Sequence, residues 1–244
     1  MVDRLFSLPR LAQLYDPLDP DRRDLAEYIA LLEELGARSV LDIGCGTGTF
    51  ALMLGQRGFT VIGLDPAKAS LDVARGKPGS GCVRWTHGNA ATPLQVPVDA
   101  VTMTGNVAQV FLSDEEWTTA LRSAWQALRP GGHLIFETRD PAAQAWRGWT
   151  RERTTRTARV EGVGEVASWE DVTTVEWPTV SFQTTFRLPD DSLVTSSSTL
   201  RFRSRDEVLA TLLDARFEPA EVRDAPDRPG LEFVFIARRP PNSL

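Results

Sequence analysis

Cysteine, histidine and tyrosine are each nearly absent, two of each in 244 residues. Cys45 and Cys82 make neither a disulfide framework nor a thiolate metal cluster, and they predict a reducing, cytoplasmic compartment. His87 and His133 are too few for a histidine-based metal centre, and the acids show no ligand spacing, so no metal is expected. No apolar run approaches the roughly 20 residues of a membrane span. Met1-Val2-Asp3-Arg4-Leu5 carries charge early and opens no long apolar run, which predicts no signal peptide. An excess of basic charge is missing too: 27 Lys and Arg stand against 33 Asp and Glu, for a net charge of −6. That balance argues against a general nucleic-acid coat while allowing a local basic patch. What remains is ordinary for a soluble globular chain, 42% hydrophobic and 25% charged, long enough for one large domain or one domain with an elaboration.

Strand and helix signals alternate along the first 140 residues. Pro20-Asp21 opens an amphipathic helix with Leu25, Tyr28, Ile29, Leu32 and Leu35 on one face, stopped at Gly36. Strands follow near 39–43, 59–64, 83–87, 98–104 and 133–138, with helices after Gly48, after Pro66 and from Ser113. Ser113 has Glu116 three residues on, a capping box, and Ser204 with Glu207 repeats it. Five alternations predict an α/β fold, a mostly parallel sheet with helices on both faces. From about 154 to 202 helical periodicity vanishes. Val180, Phe182, Phe186 and Leu188 alternate with polar residues, and Pro189-Asp190-Asp191 is a turn between two such runs. Three or four antiparallel strands are expected there. The predicted organisation is one α/β domain over 1–150 and 204–244, with an antiparallel β insert over 151–203 covering the site.

The most informative stretch is Val40-Leu41-Asp42-Ile43-Gly44-Cys45-Gly46-Thr47-Gly48-Thr49-Phe50. It reads as a buried strand, a glycine turn and a helix start, which builds a nucleotide-shaped pocket at the carboxyl end of a sheet. Glycine lets a ligand lie against bare backbone. The second strand ends at Asp65, 17 positions after Gly48, where a carboxylate can accept from both hydroxyls of a ribose. A dinucleotide site wants a third glycine at position 49, and Thr49 stands there. That weakens a pyrophosphate reading and favours an adenosine ligand with an amino-acid tail, whose ammonium Asp42 can hold through water or backbone.

At these residues the chain resembles the class I S-adenosylmethionine-dependent methyltransferases. The string from Val40 to Gly48 looks like their first motif, and Gly63-Leu64-Asp65 resembles their ribose-binding acid. Gly88-Asn89-Ala90 stands where they carry Gly-Asp-Ala beside the adenine, and Leu128 to Gly132 resembles the turn before their fifth strand. The likeness covers about 1–140 and, more weakly, 205–238. It implies a Rossmann-like seven-stranded sheet with the last strand antiparallel, and S-adenosyl-L-methionine as cofactor with S-adenosyl-L-homocysteine as product. It implies cofactor contacts from Asp42, Gly44, Cys45, Gly46, Thr47, Gly48, Asp65, Pro66, Asn89, Ala90, Thr104 and Asn106. Asn89 departs from the usual acid, though its carbonyl can still accept from the adenine amine. The insert resembles the β-rich lids of small-molecule methyltransferases, sugar N-methyltransferases among them.

The acceptor side is less legible. Thr104-Gly105-Asn106 lacks the Asn-Pro-Pro-Tyr type motif of DNA and protein amide methylation. Candidate substrate residues are Tyr15, which either closes over the cofactor or packs locally, Asn106, which either contacts ligand or stabilises a turn, Arg139 and Trp146. Arg139 either grips an anionic group of the substrate or makes a surface ion pair. Between 139 and 159 six arginines meet two acids, with Trp146 and Trp149 among them. A solvated helix covering the pocket, with the tryptophans packed beneath, is the ordinary reading of that segment. The expected activity is methyl transfer to N or O of a small metabolite by in-line displacement. The alternatives are a methyltransferase of RNA or a peptide through 139–159, a non-catalytic cofactor-binding module, and a nicotinamide oxidoreductase. The last is disfavoured because Tyr15 and Tyr28 are followed four positions on by Asp19 and Leu32, not lysine.

Overall fold

The computed structural model describes residues 2–92 and 97–241. The outermost positions of the expected domain, 1 and 242–244, lie outside them. The described residues before Pro20 form a lead-in to the main domain. It folds into three four-residue helices, α1 (Arg4–Ser7), α2 (Pro9–Ala12) and α3 (Tyr15–Leu18). Then come α4 (Asp24–Glu34), β1 (Ser39–Ile43), α5 (Thr49–Gln56), β2 (Thr60–Asp65), α6 (Lys68–Gly76), β3 (Val83–His87) and β4 (Val98–Met103). The chain continues through α7 (Asp114–Ala127), β5 (Leu128–Arg139), α8 (Arg151–Thr154), β6 (Arg156–Val160), β7 (Gly164–Glu176), β8 (Thr179–Arg187) and β9 (Leu193–Arg201). It ends in α9 (Arg205–Asp214), β10 (Glu221–Asp224) and β11 (Glu232–Arg238).

Seven strands form one sheet in the order β10-β11-β5-β4-β1-β2-β3. All neighbours are parallel except β11, which runs antiparallel to both β5 and β10. The expected Rossmann-like sheet with an antiparallel last strand is therefore present. Its central strands are apolar on both faces, as a doubly covered sheet requires. Val40, Ala100, Ile135 and Ile236 pack under α4 and α5, while Leu41, Val101, Phe136 and Phe235 pack under α7 and α9. β5 is longer than the expected 133–138. It takes in the Arg-Pro-Gly-Gly stretch, because Leu128 pairs with Val98 before a register shift brings His133 opposite Ala100.

Strands β6 to β9 form a separate antiparallel sheet. One face of it is apolar and meets two bodies. Val166, Phe186 and Val194 pack on Leu11, Leu14 and Leu18 of the lead-in. Val180, Leu200 and Phe202 pack with Trp146, Trp149 and Phe182. The Arg/Trp segment after β5 is not the solvated helix expected. It forms two 3-10 turns, Pro141–Ala143 and Ala145–Gly148, and then the four-residue α8. Pro141 and Gly148 interrupt any longer helix, while the tryptophans pack against the insert.

The lead-in ties the two sheets together. Leu5 N–H donates to Ser196 Oγ at 2.8 Å, and Ser198 Oγ donates to Asp3 at 2.6 Å, both on β9. Ser70 Oγ on α6 donates to Phe6 O at 3.1 Å on the other side.

Candidate active site

The site is built at the carboxyl ends of β1, β2, β4 and β5. β1 delivers Asp42 and then the glycine turn; its strand geometry leaves Asp42 1% exposed. Thr102, directly opposite on β4, donates its hydroxyl to Asp42 Oδ1 at 2.9 Å. Burial, with Asp65 and Glu137 nearby, pushes the Asp42 carboxyl up to about 7.

The three turn glycines all have positive φ, but the direction a Cβ would take separates them. A Cβ on Gly44 would meet Val107 at 2.5 Å, and one on Gly48 would collide with Trp85. At Gly46 (φ +54°) nothing lies within 4 Å. Gly46 thus presents bare backbone to open space, the cradle a close-packed ligand needs. Asp65 sits beside it, at the end of β2. Its Oδ2 accepts Gly46 N–H at 2.8 Å and its Oδ1 accepts Ala67 N–H at 2.7 Å. Each oxygen keeps a second lone pair for a hydroxyl donor. Burial raises this carboxyl above its ordinary range.

The other expected cofactor residues surround this turn. Thr47 is buried and donates to Asp16 Oδ1 at 2.7 Å; Thr49 donates to the same atom at 3.1 Å. Lys77 pairs with Asp16 Oδ2 at 2.7 Å. The lead-in therefore latches onto the glycine turn through Asp16. Cys45 is buried, and burial holds its thiol well above the ordinary range, so it is an inert filler of the turn. Pro66 is exposed and its carbonyl meets His87 Nε2 at 3.0 Å. Ala90 is buried, while exposed Asn89 turns its Oδ1 onto Ala91 N–H at 3.0 Å. That turn uses one lone pair of the carbonyl expected to face adenine and leaves one. Thr104 is half-buried beside exposed Gly105.

Asn106 adopts a left-handed conformation (φ 61°) and is 5% exposed. Its N–H donates to Glu137 Oε1 at 2.5 Å, and its own Oδ1 is buried with no partner among the described residues. Glu137, two residues from the end of β5, also accepts the Tyr28 hydroxyl at 2.8 Å, and burial pushes it up to about 7. Beyond it Arg139 is not on the surface. Its guanidinium donates to Gln109 Oε1 at 3.0 Å, lies 3.6 Å from Glu232 and stacks 5.3 Å from the Trp149 ring. Trp146 is 8% exposed and packs edge-on against Phe202 at 4.6 Å, among the insert aromatics. Tyr15 is half-buried, 5.7 Å from the Phe6 ring, with Arg22 and Asp19 close enough to act on its hydroxyl.

The structure thus brings Asp42, Gly46, Asp65, Thr104 and Asn106 to one end of the sheet, leaves Tyr15 in the lead-in helix whose Asp16 reaches the glycine turn, and packs Trp146 against the insert. Sequence reasoning missed Asp16, Arg22, Gln109, Glu137 and Glu232. Glu137 had a signal: it is the acid interrupting the apolar run Leu134-Ile135-Phe136. Among the described residues no group of three or more His, Cys, Asp or Glu is placed to hold a metal, and no helix is long and apolar enough to cross a membrane.

Comparison with known proteins agrees with this geometry. Residues 40–132 match the methyltransferase domain family. The cypemycin N-terminal methyltransferase of a Streptomyces species is 31% identical over 119 residues, 48% of this chain and 49% of that one. The chain spans about half the length of the curated relatives it matches. Two solved structures share the fold across both sheets. The amino pentose methyltransferase CalS10 from Micromonospora echinaspora has a TM-score of 0.68 at 24% identity, covering 90% of this chain and 93% of that one. The sugar N-methyltransferase KedS8 from Streptoalloteichus has a TM-score of 0.74 at 18% identity, covering 93% and 91%. Glycine turn, sheet order and the matched segment thus make residues 40–132 similar to the methyltransferase domain family, within a fold that the chain shares with solved methyltransferases.

Proposed function

We propose that the chain moves a methyl group from S-adenosyl-L-methionine to N or O of a small-molecule metabolite. One observation carries this reading: Gly46 offers bare backbone to open space while Asp65, bonded to its N–H, keeps lone pairs for a ribose. The residues present fit the cofactor, since the glycine cradle is open and the buried Asn106 Oδ1 has no partner among the described residues. Asp65 would hold the ribose, Ala90 and Asn89 would border the adenine, and Asp42 with the turn backbone would face the amino-acid tail.

The cofactor supplies a methyl group already activated by the sulfonium charge. The chain's part is positioning, which can lower a barrier by roughly 7–11 kcal/mol in well-oriented cases. Asn106 is fixed for this by Glu137, itself held by Tyr28. The insert sheet and the lead-in shield the encounter from water. The N-methyltransferase description of KedS8 and the N-terminal methyltransferase description of the cypemycin relative support nitrogen over oxygen as acceptor. The chain's abundant buried pairing of Arg139 and the acidic net charge speak for a metabolite over RNA. The reducing, cytoplasmic setting expected from the two cysteines belongs to the same proposal.

Calorimetry tests it. S-adenosyl-L-methionine and S-adenosyl-L-homocysteine should bind, and NAD should not. A chain that binds neither sulfur nucleoside has another function. One that binds both yet methylates nothing in a metabolite panel is a binding module.

A further inference from the structure

The inner face of the insert sheet is apolar and hydroxyl-bearing, with one ionisable side chain on β7. Val166, Glu170 and Val172 share that face, and cross-strand pairing places Glu170 opposite buried Thr184 on β8. Val166 belongs to the cluster under the lead-in, and Val172 packs on the cluster under Trp146 and Trp149. Glu170 therefore stands in the gap between the two apolar clusters, where the insert faces the end of the main sheet. Its backbone is pinned from the edge. Glu170 N–H donates to Thr154 Oγ1 at 2.8 Å, and the same hydroxyl lies 3.2 Å from Glu170 O.

The carboxylate itself makes no hydrogen bond or ion pair with any described residue. Its cationic neighbours are engaged elsewhere: Arg139 with Gln109 and Glu232, and Arg156 with Asp19 at 2.8 Å. Both arginines and Asp19 lie close enough to influence it, and burial still raises its proton affinity. An acid fixed at the backbone, half-buried and unmatched is costly unless a cation reaches it.

We infer that Glu170 is the substrate-binding carboxylate of this protein and takes an ammonium group of a small-molecule amine. The inference rests on the methyltransferase reading and narrows it to amines; a nitrogen that takes the methyl must first lose a proton to solvent, since an ammonium has no lone pair. Glu170 holds the amine from the insert side, with the stacked Arg139 and Trp149 forming the adjacent wall. The role is one of anchoring and orientation.

The test uses the full chain loaded with S-adenosyl-L-homocysteine and two matched probe pairs, glucosamine against glucose and tyramine against tyrosol. At least one amine should bind by calorimetry, and its alcohol partner should bind roughly tenfold or more weakly. Glu170→Gln should weaken that amine by a similar factor, leave S-adenosyl-L-homocysteine affinity unchanged, hold or raise the thermal midpoint of the amine-free chain, and raise KM more than it lowers kcat. Glu170→Asp should restore part of the loss. Equal binding of amine and alcohol, no binding by either amine, or an unaltered Glu170→Gln protein overturns the inference. Loss of nucleoside binding in the wild-type chain instead overturns the reading beneath it, so the two failures are distinguishable.

Discussion

Asp65 and Gly46 are joined across the glycine turn by a 2.8 Å hydrogen bond from backbone to carboxylate. The residue assigned to the ribose thus also sets the shape of the turn it serves. Asp65→Ala should weaken S-adenosyl-L-homocysteine binding by about 1–3 kcal/mol, the usual scale for hydrogen bonds to a charged group. Asp65→Asn should fall between, because its one remaining oxygen can satisfy Gly46 or a hydroxyl. Calorimetry reads both; a folded Asp65→Ala chain with native affinity rules out the ribose contact.

Gly44 and Gly46 should respond differently to alanine. At Gly46 the new methyl meets nothing, so the fold loses about 1–2 kcal/mol for a left-handed alanine while nucleoside binding collapses. At Gly44 the methyl runs into Val107, so thermal stability falls most. Melting curves with and without S-adenosyl-L-homocysteine separate the cases. A Gly46→Ala chain that is still stabilised by the nucleoside to the wild-type extent sinks the cradle.

Asp42 makes stability depend on pH. Its carboxyl stays protonated in the fold up to about 7 but ionises near its ordinary 3.8 when unfolded. Between those values the fold holds a proton that the unfolded chain does not. This stabilising contribution is complete below the unfolded value and is lost as pH rises through about 7. The loss is at most about 4 kcal/mol. Glu137, also pushed up to about 7, acts in the same direction. Denaturation of the free chain from pH 5 to 8 should show falling stability, and Asp42→Asn, which keeps an oxygen for Thr102, should flatten the slope.

Asp16 fastens the lead-in to the glycine turn through Thr47, Thr49 and Lys77. Asp16→Ala should cost about 1–2 kcal/mol, discounted for partial exposure, and speed release of S-adenosyl-L-homocysteine. Stopped-flow dissociation and tryptic cleavage at Arg22 or Arg23 report the loosening. Unaltered release with unaltered protection means that the latch plays no part in retention.

Trp146→Ala should loosen the insert before the main sheet. The indole fills a site among Phe202, Trp177 and the β8–β9 face, and emptying such a site costs about 3–5 kcal/mol. Hydrogen exchange should accelerate in β8 and β9 with β4 and β5 still protected; uniform acceleration contradicts a separately failing insert.

The elements that were legible in the sequence are those specified locally. Both capping boxes, Ser113 with Glu116 and Ser204 with Glu207, form as their three-residue spacing dictates. The alternation of Val180, Phe182 and Phe186 became the inner face of β8. The lead-in helices were not legible. Four residues cannot sustain a helix alone, and these are held by Leu11 and Leu14 docking on the insert. The buried polar partners were hidden for a related reason. Tyr28 and Glu137 lie 109 positions apart, and Asn106 and Glu137 lie 31 apart; only the finished sheet brings them together. The surroundings of Arg139 were equally hidden, because nothing local reveals that Gln109, Trp149 and Glu232 converge on it.

The docking of the lead-in has a consequence for how the chain is made. Asp3 finds Ser198 across 195 positions, and Leu5 finds Ser196 across 191. On the ribosome the lead-in emerges long before β9 exists, so Leu11 and Leu14 stay uncovered while nearly the whole chain is synthesised. Contacts of such separation form slowly, and apolar segments left waiting are where folding chains aggregate. The segment that latches the glycine turn is thus translated well before its partner strand and settles only after it. Yield in the cell should depend on whatever shields those leucines in the interval.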